Sequence, residues 1–259
     1  MELRLLKRTR NRVRKIAVAL TKGGTGKSTT AVNLASGLAA AGHRVLLVDT
    51  DTQGQVSLLL GVQPQAGLAQ FIEEEVEAEE AIIEAREGLS LLAGDHTLAG
   101  LKRTISLKEF GGEKVLTEAL TPLEDQYDYV ILDTAPGWDP LTVNVLFYAE
   151  QILAPVSLEV LSLQGLIEFE ERIEAIQKYQ PHLSLQYVLP TFLDGRVRKS
   201  AEILEQLRTH YPRQLCTPIR YNVRISEAPG FGRTIFEFAP RSVGAQDYGK
   251  LVERIDNGT

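Results

Sequence analysis

Lys22-Gly23-Gly24-Thr25-Gly26-Lys27-Ser28-Thr29 places two lysines around three glycines, in a pattern suited to holding phosphate. Glycines let successive backbone N–H groups curve around anionic oxygens, and a helix starting there adds the positive end of its dipole. Lys27 would reach the β- and γ-phosphates of a nucleoside triphosphate, and the Ser28 hydroxyl would ligate Mg²⁺. The strict G-x-x-x-x-G-K-[ST] pattern needs glycine at position 21, where this chain has Thr21. A glycine-rich turn without chemistry is the competing reading. Against it stands the context: an apolar run from Lys15 to Thr21 precedes the loop, and an Ala-rich helical stretch from Ser28 to Ala41, closed by Gly42, follows it.

Three carboxylates fall at or just past the ends of other apolar runs. Arg44-Val-Leu-Leu-Val-Asp49 leads to Asp51, and Val130-Ile-Leu-Asp133 ends in Asp133. A carboxylate just beyond a buried strand points toward the γ-phosphate in a doubly wound sheet, so Asp51 suits orienting a water for attack. Asp133 suits accepting hydrogen bonds from Mg²⁺-bound water. Asp49 and Asp51 also stand where either could merely cap the helix that follows.

The elements that must position these groups alternate along the chain. Strands are expected at 15–21, 44–49, 89–93, 127–133, 151–156 and 183–189. Helices are expected at 28–41, 55–60, 112–120, 140–149, 163–179, 198–210 and 242–255, with two acidic helical stretches near 67–74 and 76–86. Leu166, Phe169, Ile173 and Ile176 show the 3, 4, 3 spacing of one helical face. Fully apolar strands alternating with helices imply an α/β fold, a three-layer, doubly wound, mostly parallel sheet, which together with the glycine loop at its first strand end resembles the P-loop NTPases. No repeat or long linker interrupts it, so residues 16–259 are read as one domain behind a basic N-terminal arm, residues 1–15.

Composition sets outer bounds. In 259 residues, 44% are hydrophobic and 24% charged, which excludes a disordered or collagen-like chain. No apolar run reaches the roughly 20 residues that span a bilayer, so a cytoplasmic protein is expected. Cys216, the lone cysteine, excludes an internal disulfide and thiolate-metal or iron–sulfur chemistry within one subunit. The net charge of −6 hides segregation. Seven Lys/Arg against Glu2 give residues 1–15 a local +6, and ten against five acids give residues 196–250 a local +5. Eight glutamates between Glu73 and Glu87 read as a solvated helical face. Clustered positive charge in an acidic protein suits nucleic-acid phosphates bound without base reading.

With these residues in hand, Lys22-Gly-Gly-Thr-Gly-Lys-Ser28 resembles the deviant Walker A loop of the ParA/MinD class of ATPases. Val48-Asp-Thr-Asp-Thr-Gln-Gly54 is similar to that class's V-D-x-D-P-Q-G, with Thr52 for proline, and Leu132-Asp-Thr-Ala-Pro-Gly137 resembles its D-x-P-P, with Gly137 for the second proline. Thr191-Phe-Leu-Asp-Gly-Arg196, Asn222-Val-Arg-Ile-Ser-Glu-Ala-Pro229 and Ser242-Val-Gly-Ala-Gln-Asp-Tyr248 are similar to stretches of the chromosome and plasmid ParA branch. The resemblance covers nearly the whole chain. It implies a weakly active ATP hydrolase with ATP and Mg²⁺ as cofactors. Lys22 would cross a homodimer interface to the partner's nucleotide, Asp51 would orient water, and Asp49 would lie near Mg²⁺ through water. Thr191, Phe192, Pro218, Ile219 and Asn222 would hold adenine. Arg208, Arg213, Arg224 and Arg233 would bind double-stranded DNA nonspecifically, with the N-terminal arm as a further phosphate contact.

The resemblance also implies a ParB-like or other adaptor that stimulates hydrolysis, a nucleoid-associated location, and a centromere complex or a protein organelle such as a carboxysome as cargo. A MinD-like membrane ATPase is the alternative. It would need a basic amphipathic C-terminal helix, whereas Lys250 to Thr259 is short and balanced in charge.

Overall fold

A computed structural model of the chain describes residues 12–258. Seven strands form one sheet: β1 (Arg14–Val18), β2 (Val45–Asp49), β3 (Ile82–Arg86), β4 (Leu89–Leu92), β5 (Tyr129–Asp133), β6 (Gln151–Ser157) and β7 (Ser184–Thr191). Their order is β3-β4-β2-β5-β1-β6-β7, and every pairing is parallel except β3 with β4. The helices are α1 (Lys27–Ala40), α2 (Gln55–Leu60), α3 (Leu68–Ile72), α4 (Ala78–Ala81), α5 (Leu98–Leu107), α6 (Val115–Leu120), α7 (Pro140–Tyr148), α8 (Val160–Gln177), α9 (Arg198–His210), α10 (Val223–Glu227), α11 (Ile235–Phe238) and α12 (Val243–Asp256).

Every residue of β2 and β5 is buried because helices cover both faces. Strand alternation divides the core into two layers. Ile16, Val18, Leu47 and Ile131 face α1 and α12, while Ala17, Leu46, Val48 and Leu132 face the layer that includes Leu141 and Val145 of α7. Ser242 caps α12 by accepting from the Ala245 amide, and Asp139 caps α7 by accepting from Thr142.

Besides the one-turn helices α10 and α11, which were not expected, two longer stretches depart from the sequence expectation. The acidic stretch 76–86 keeps only one turn of helix, α4, and then becomes the antiparallel edge strand β3. Gly88, at φ 73°, makes the turn into β4. The glutamates from Glu73 to Glu87 are all exposed, so their charge masked a short strand whose pairing with β4 decides its state. The helix α5 was not expected; its buried Leu98, Leu101 and Ile105 do follow a 3, 4 spacing. Of the basic N-terminal residues, those at 1–11 lie outside the described residues. Arg14 and Lys15 belong to β1, and Arg12, two residues before Arg14, pairs with Glu150 at 2.6 Å. Lys15 sits 3.3 Å from Glu124 and 3.2 Å from Glu150, and Arg14 donates to Tyr187 Oη at 3.0 Å. Arg14 and Lys15 therefore serve the body of the fold, while the Arg12 pair lies at the surface.

Candidate nucleotide-binding site

The register of the central strands brings the candidate acids together. Val18, the last residue of β1, pairs with Asp133, and Asp49 pairs with the same Asp133 across β2 and β5. The loops that leave these three strand ends therefore meet where the sheet's connections reverse direction, the usual crevice of a doubly wound fold. Hydrogen bonds tie them: Thr50 donates to Asp133 O at 2.7 Å, Thr134 to Val18 O at 2.9 Å, and Gly137 N to Thr21 O at 2.8 Å.

The phosphate loop opens into a cavity of about 570 Å³ lined by Gly23, Gly24, Gly26, Lys27, Ser28 and Thr29 on its own side. Gly24 and Gly26 hold φ of 72° and 86°, a conformation that strains any residue with a Cβ. Lys27 is 6% exposed, and its ammonium donates to Lys22 O at 2.9 Å, which braces the loop from inside. Burial lowers the Lys27 pKa, opposed by the charges of Asp133 and Asp51. Thr25 is buried beneath the loop, where its carbonyl accepts from Thr191 Oγ1 at 3.0 Å. Lys22 behaves differently. Its ammonium lies 3.2 Å from Glu159 at the start of α8, and its side chain does not line the chain's own phosphate cavity.

Asp51 lines the cavity, with Oδ1 accepting from the Gln53 amide at 3.0 Å. Asp49 does not line it. Asp49 is fully buried and accepts from the Asp51 amide at 2.9 Å and the Val56 amide at 3.2 Å, so its carboxylate secures the loop and the first turn of α2. Burial pushes the Asp49 carboxyl up to about 7 despite those two donors. Asp133 is also raised, well above the usual carboxylate range, by burial and then by the charge of Asp49, with the Ser28 hydroxyl and Lys27 working against the rise. Neither Asp133 oxygen has a hydrogen-bond partner of normal geometry among the described residues. Two orphaned, buried carboxylate oxygens beside Ser28 are a good fit to a Mg²⁺ ion and its waters. Among the described residues no set of three or more His, Cys, Asp or Glu side chains holds a metal by itself. Mg²⁺ rarely uses such a cage and is bound instead by one or two protein ligands, substrate phosphates and water. Ser28 would hold it directly, and Asp133 through water.

A second cavity of about 180 Å³ shares Gly26, Thr29 and Phe192 with the first. Thr191, Ile219 and Asn222 line it, joined by Tyr221, Ile225 and Pro229, which were not expected there. Pro218 precedes this cavity without lining it, and the Ile219 amide donates to Pro190 O at 2.8 Å. Phe192 holds φ 57°, a left-handed conformation that strains a bulky residue and keeps its ring over Gly26. Arg220 extends to Asp247 of α12 at 2.6 Å.

The four candidate DNA-binding arginines are exposed but fall into two groups. Arg208 and Arg213 end α9 and its following loop, beside the β7 edge. Arg224 lies on α10 between Asn222 and Ile225, which line the second cavity, and Arg233 follows in the loop beyond α10. Arg208 pairs with Glu205 and Arg224 with Glu227, both pairs being solvent-exposed. Lys102 and Asp139, which also line the phosphate cavity, were missed in the sequence. Lys102 lies on the unexpected α5, and Asp139 had a readable sign in the Asp-Pro start of α7.

Comparison with known proteins agrees with this geometry. The AAA domain family matches residues 13–185. The chromosome-partitioning ATPase Soj of Thermus thermophilus is 40% identical over 248 residues, covering 95% of this chain and 96% of that protein. The chromosome partitioning protein ParA of Caulobacter vibrioides is 34% identical, covering 95% and 94%. Among solved structures, cobyrinic acid a,c-diamide synthase from Mycobacterium smegmatis with a bound ATP analogue and magnesium superposes with a TM-score of 0.83 at 30% identity, covering 95% and 94%. An ATP complex of Cyanothece McdA superposes with a TM-score of 0.82 at 24% identity, covering 96% of each chain, a likeness of fold. Fold and site together define a P-loop ATPase of the deviant Walker A type, an ATP hydrolase class that works with ATP and Mg²⁺. The chain belongs to the ParA/Soj family of that class. Among the described residues no helix is long and apolar enough to cross a membrane.

Proposed function

We propose that this chain is an ATP-driven positioning switch: ATP closes a homodimer, the dimer binds double-stranded DNA nonspecifically, and an adaptor of the ParB kind triggers the hydrolysis that releases it. The cargo in this reading is a chromosome or plasmid centromere complex and the location the nucleoid. The observation that carries it is the division of labour between the two lysines of the loop. Lys27 faces the chain's own phosphate cavity, while Lys22 is held at Glu159 outside it, on a surface from which it can serve a second protomer.

In the cycle, loop amides and Lys27 bind the phosphate chain and Asp51 orients the attacking water. Mg²⁺, when bound, offsets charge developing on the transferring phosphoryl group. Lys22 of the second protomer supplies a further positive charge as an arginine finger does, so turnover depends on dimerisation. Phe192 covers the adenine, between Thr191, Ile219 and Asn222. For the switch to work, ATP must stabilise the closed dimer more than ADP does.

Sedimentation and phosphate-release assays test this. Lys22→Ala should still bind ATP but lose ATP-dependent dimerisation or turnover. Asp51→Ala should retain ATP in a long-lived dimer that stays on DNA. Loss of ATP binding in Asp51→Ala, or equal DNA binding with ADP and ATP in the wild type, would reject the scheme.

A further inference from the structure

Lys102 of α5 and Asp139 at the start of α7 line the phosphate cavity and have no part in the chemistry above. Their charged atoms lie 2.6 Å apart, with side chains 18% and 29% exposed. The carboxylate is fixed: its Oδ1 accepts from the Thr142 amide at 2.8 Å, so it cannot swing away without uncapping α7. Burial alone would raise the Asp139 carboxyl, yet Lys102 and the Thr142 amide outweigh burial and hold it below the usual carboxylate range. Asp139 is therefore a standing negative charge in the wall of a cavity that receives a polyanion. Unopposed, a charge so placed repels phosphate, and more strongly the more charges the phosphate chain carries.

We propose that Lys102 is a specificity-determining residue of the nucleotide site: by neutralising Asp139 it makes the cavity wall compatible with a triphosphate and sets the preference for ATP over ADP. This rests on the assignment of the cavity to MgATP. The ammonium acts through the carboxylate it covers, which makes Lys102 a positioning and charge-balancing residue.

Calorimetric titration of the full chain with MgATP and with MgADP, at low and at physiological salt, tests it. Lys102→Gln should weaken MgATP about tenfold and MgADP only about threefold, as expected for one extra negative charge facing ligands of different charge. The deficit should shrink as salt rises. Asp139→Asn, which keeps a capping oxygen, should bind MgATP at least as tightly as the wild type. The double variant should return to within about twofold of wild-type affinity, because the two sites are coupled. A rescue of this kind separates charge balance from damage to α5, which Asp139→Asn cannot repair. Unchanged affinity in Lys102→Gln, or a double variant as weak as Lys102→Gln, would overturn the proposal. Wild-type protein that binds neither nucleotide, or Lys27→Ala that binds both normally, would overturn the cavity assignment beneath it.

Discussion

Asp49 and Asp133 face each other across β2 and β5 with both carboxyls raised by burial, Asp49 to about 7. An unfolded chain titrates such acids near 4, so between about pH 4 and 7 the folded, nucleotide-free protein holds protons that the unfolded chain has released. A raised carboxyl contributes stability that is complete below the unfolded value and is lost as pH rises through the folded one. Thermal melts of the nucleotide-free protein should therefore show Tm falling across that window, and Asp49→Asn should flatten the fall. Binding of MgATP favours the charged carboxylates. Titrations near pH 6.5 in buffers of different ionisation enthalpy should accordingly report net proton release, about one proton or less, and less again in Asp49→Asn. The acids themselves were legible in the sequence because each ends an apolar run. Their division of labour was not, since only the folded loop shows Asp49 turned to the Asp51 and Val56 amides while Asp51 lines the cavity.

At the scale of elements, two contacts hold the segments around the site. The C-terminal end of α2, which begins just past Asp51, abuts the loop after α10. A Cβ on Gly232 would fall 2.6 Å from Gly61 Cα, and both glycines have positive φ. Arg86 of β3 seals this crossing by donating to Leu60 O at 3.1 Å, to Gly232 O at 2.9 Å and to Glu237 at 2.6 Å. Gly232→Ala combines backbone strain with overpacking and should cost about 2–3 kcal/mol in urea denaturation. The second contact is Arg220 with Asp247. The acid is 1% exposed and accepts from both the Arg220 guanidinium and its amide. Arg220→Ala strands that carboxylate and should cost about 2 kcal/mol, less than a wholly buried pair because the arginine side chain is 44% exposed. The long alternating elements were readable from periodicity. The edge strand β3 and the helix α5 were not: the first is five residues inside an acidic stretch and exists through its pairing with β4, and the second begins at Thr97-Leu98, in a segment whose buried Leu98, Leu101 and Ile105 repeat over only two turns.

For the whole molecule, the consequential quantity is where charge remains available. Arg14 and Lys15 are engaged within the body, whereas Arg224 on α10 and Arg233 in the loop after it are exposed. Arg224 pairs with Glu227 only at the surface, a contact weak enough for a phosphate to replace. If the ATP-bound dimer binds DNA through this face, Arg224→Glu with Arg233→Glu should lower its affinity for nonspecific duplex by tenfold or more and reduce the salt slope by about 1 per lost phosphate contact, by gel shift across salt concentrations. ATP affinity should change far less. An unchanged salt slope would remove these arginines from the interface.

The chain by itself determined the local chemistry: glycines between two lysines, acids at the ends of apolar runs, and the alternation of strands and helices that makes a doubly wound sheet. These are properties of short segments, set by backbone freedom and by hydrophobic periodicity. Tertiary structure alone decided which groups meet. Parallel register aligned Val18, Asp49 and Asp133, the β3–β4 hairpin brought Arg86 to the crossing of Gly61 and Gly232, and the packing of α5 on α7 set Lys102 against Asp139 in the phosphate cavity. Each of those meetings joins residues far apart in the chain, and no local spacing encodes the distance between them.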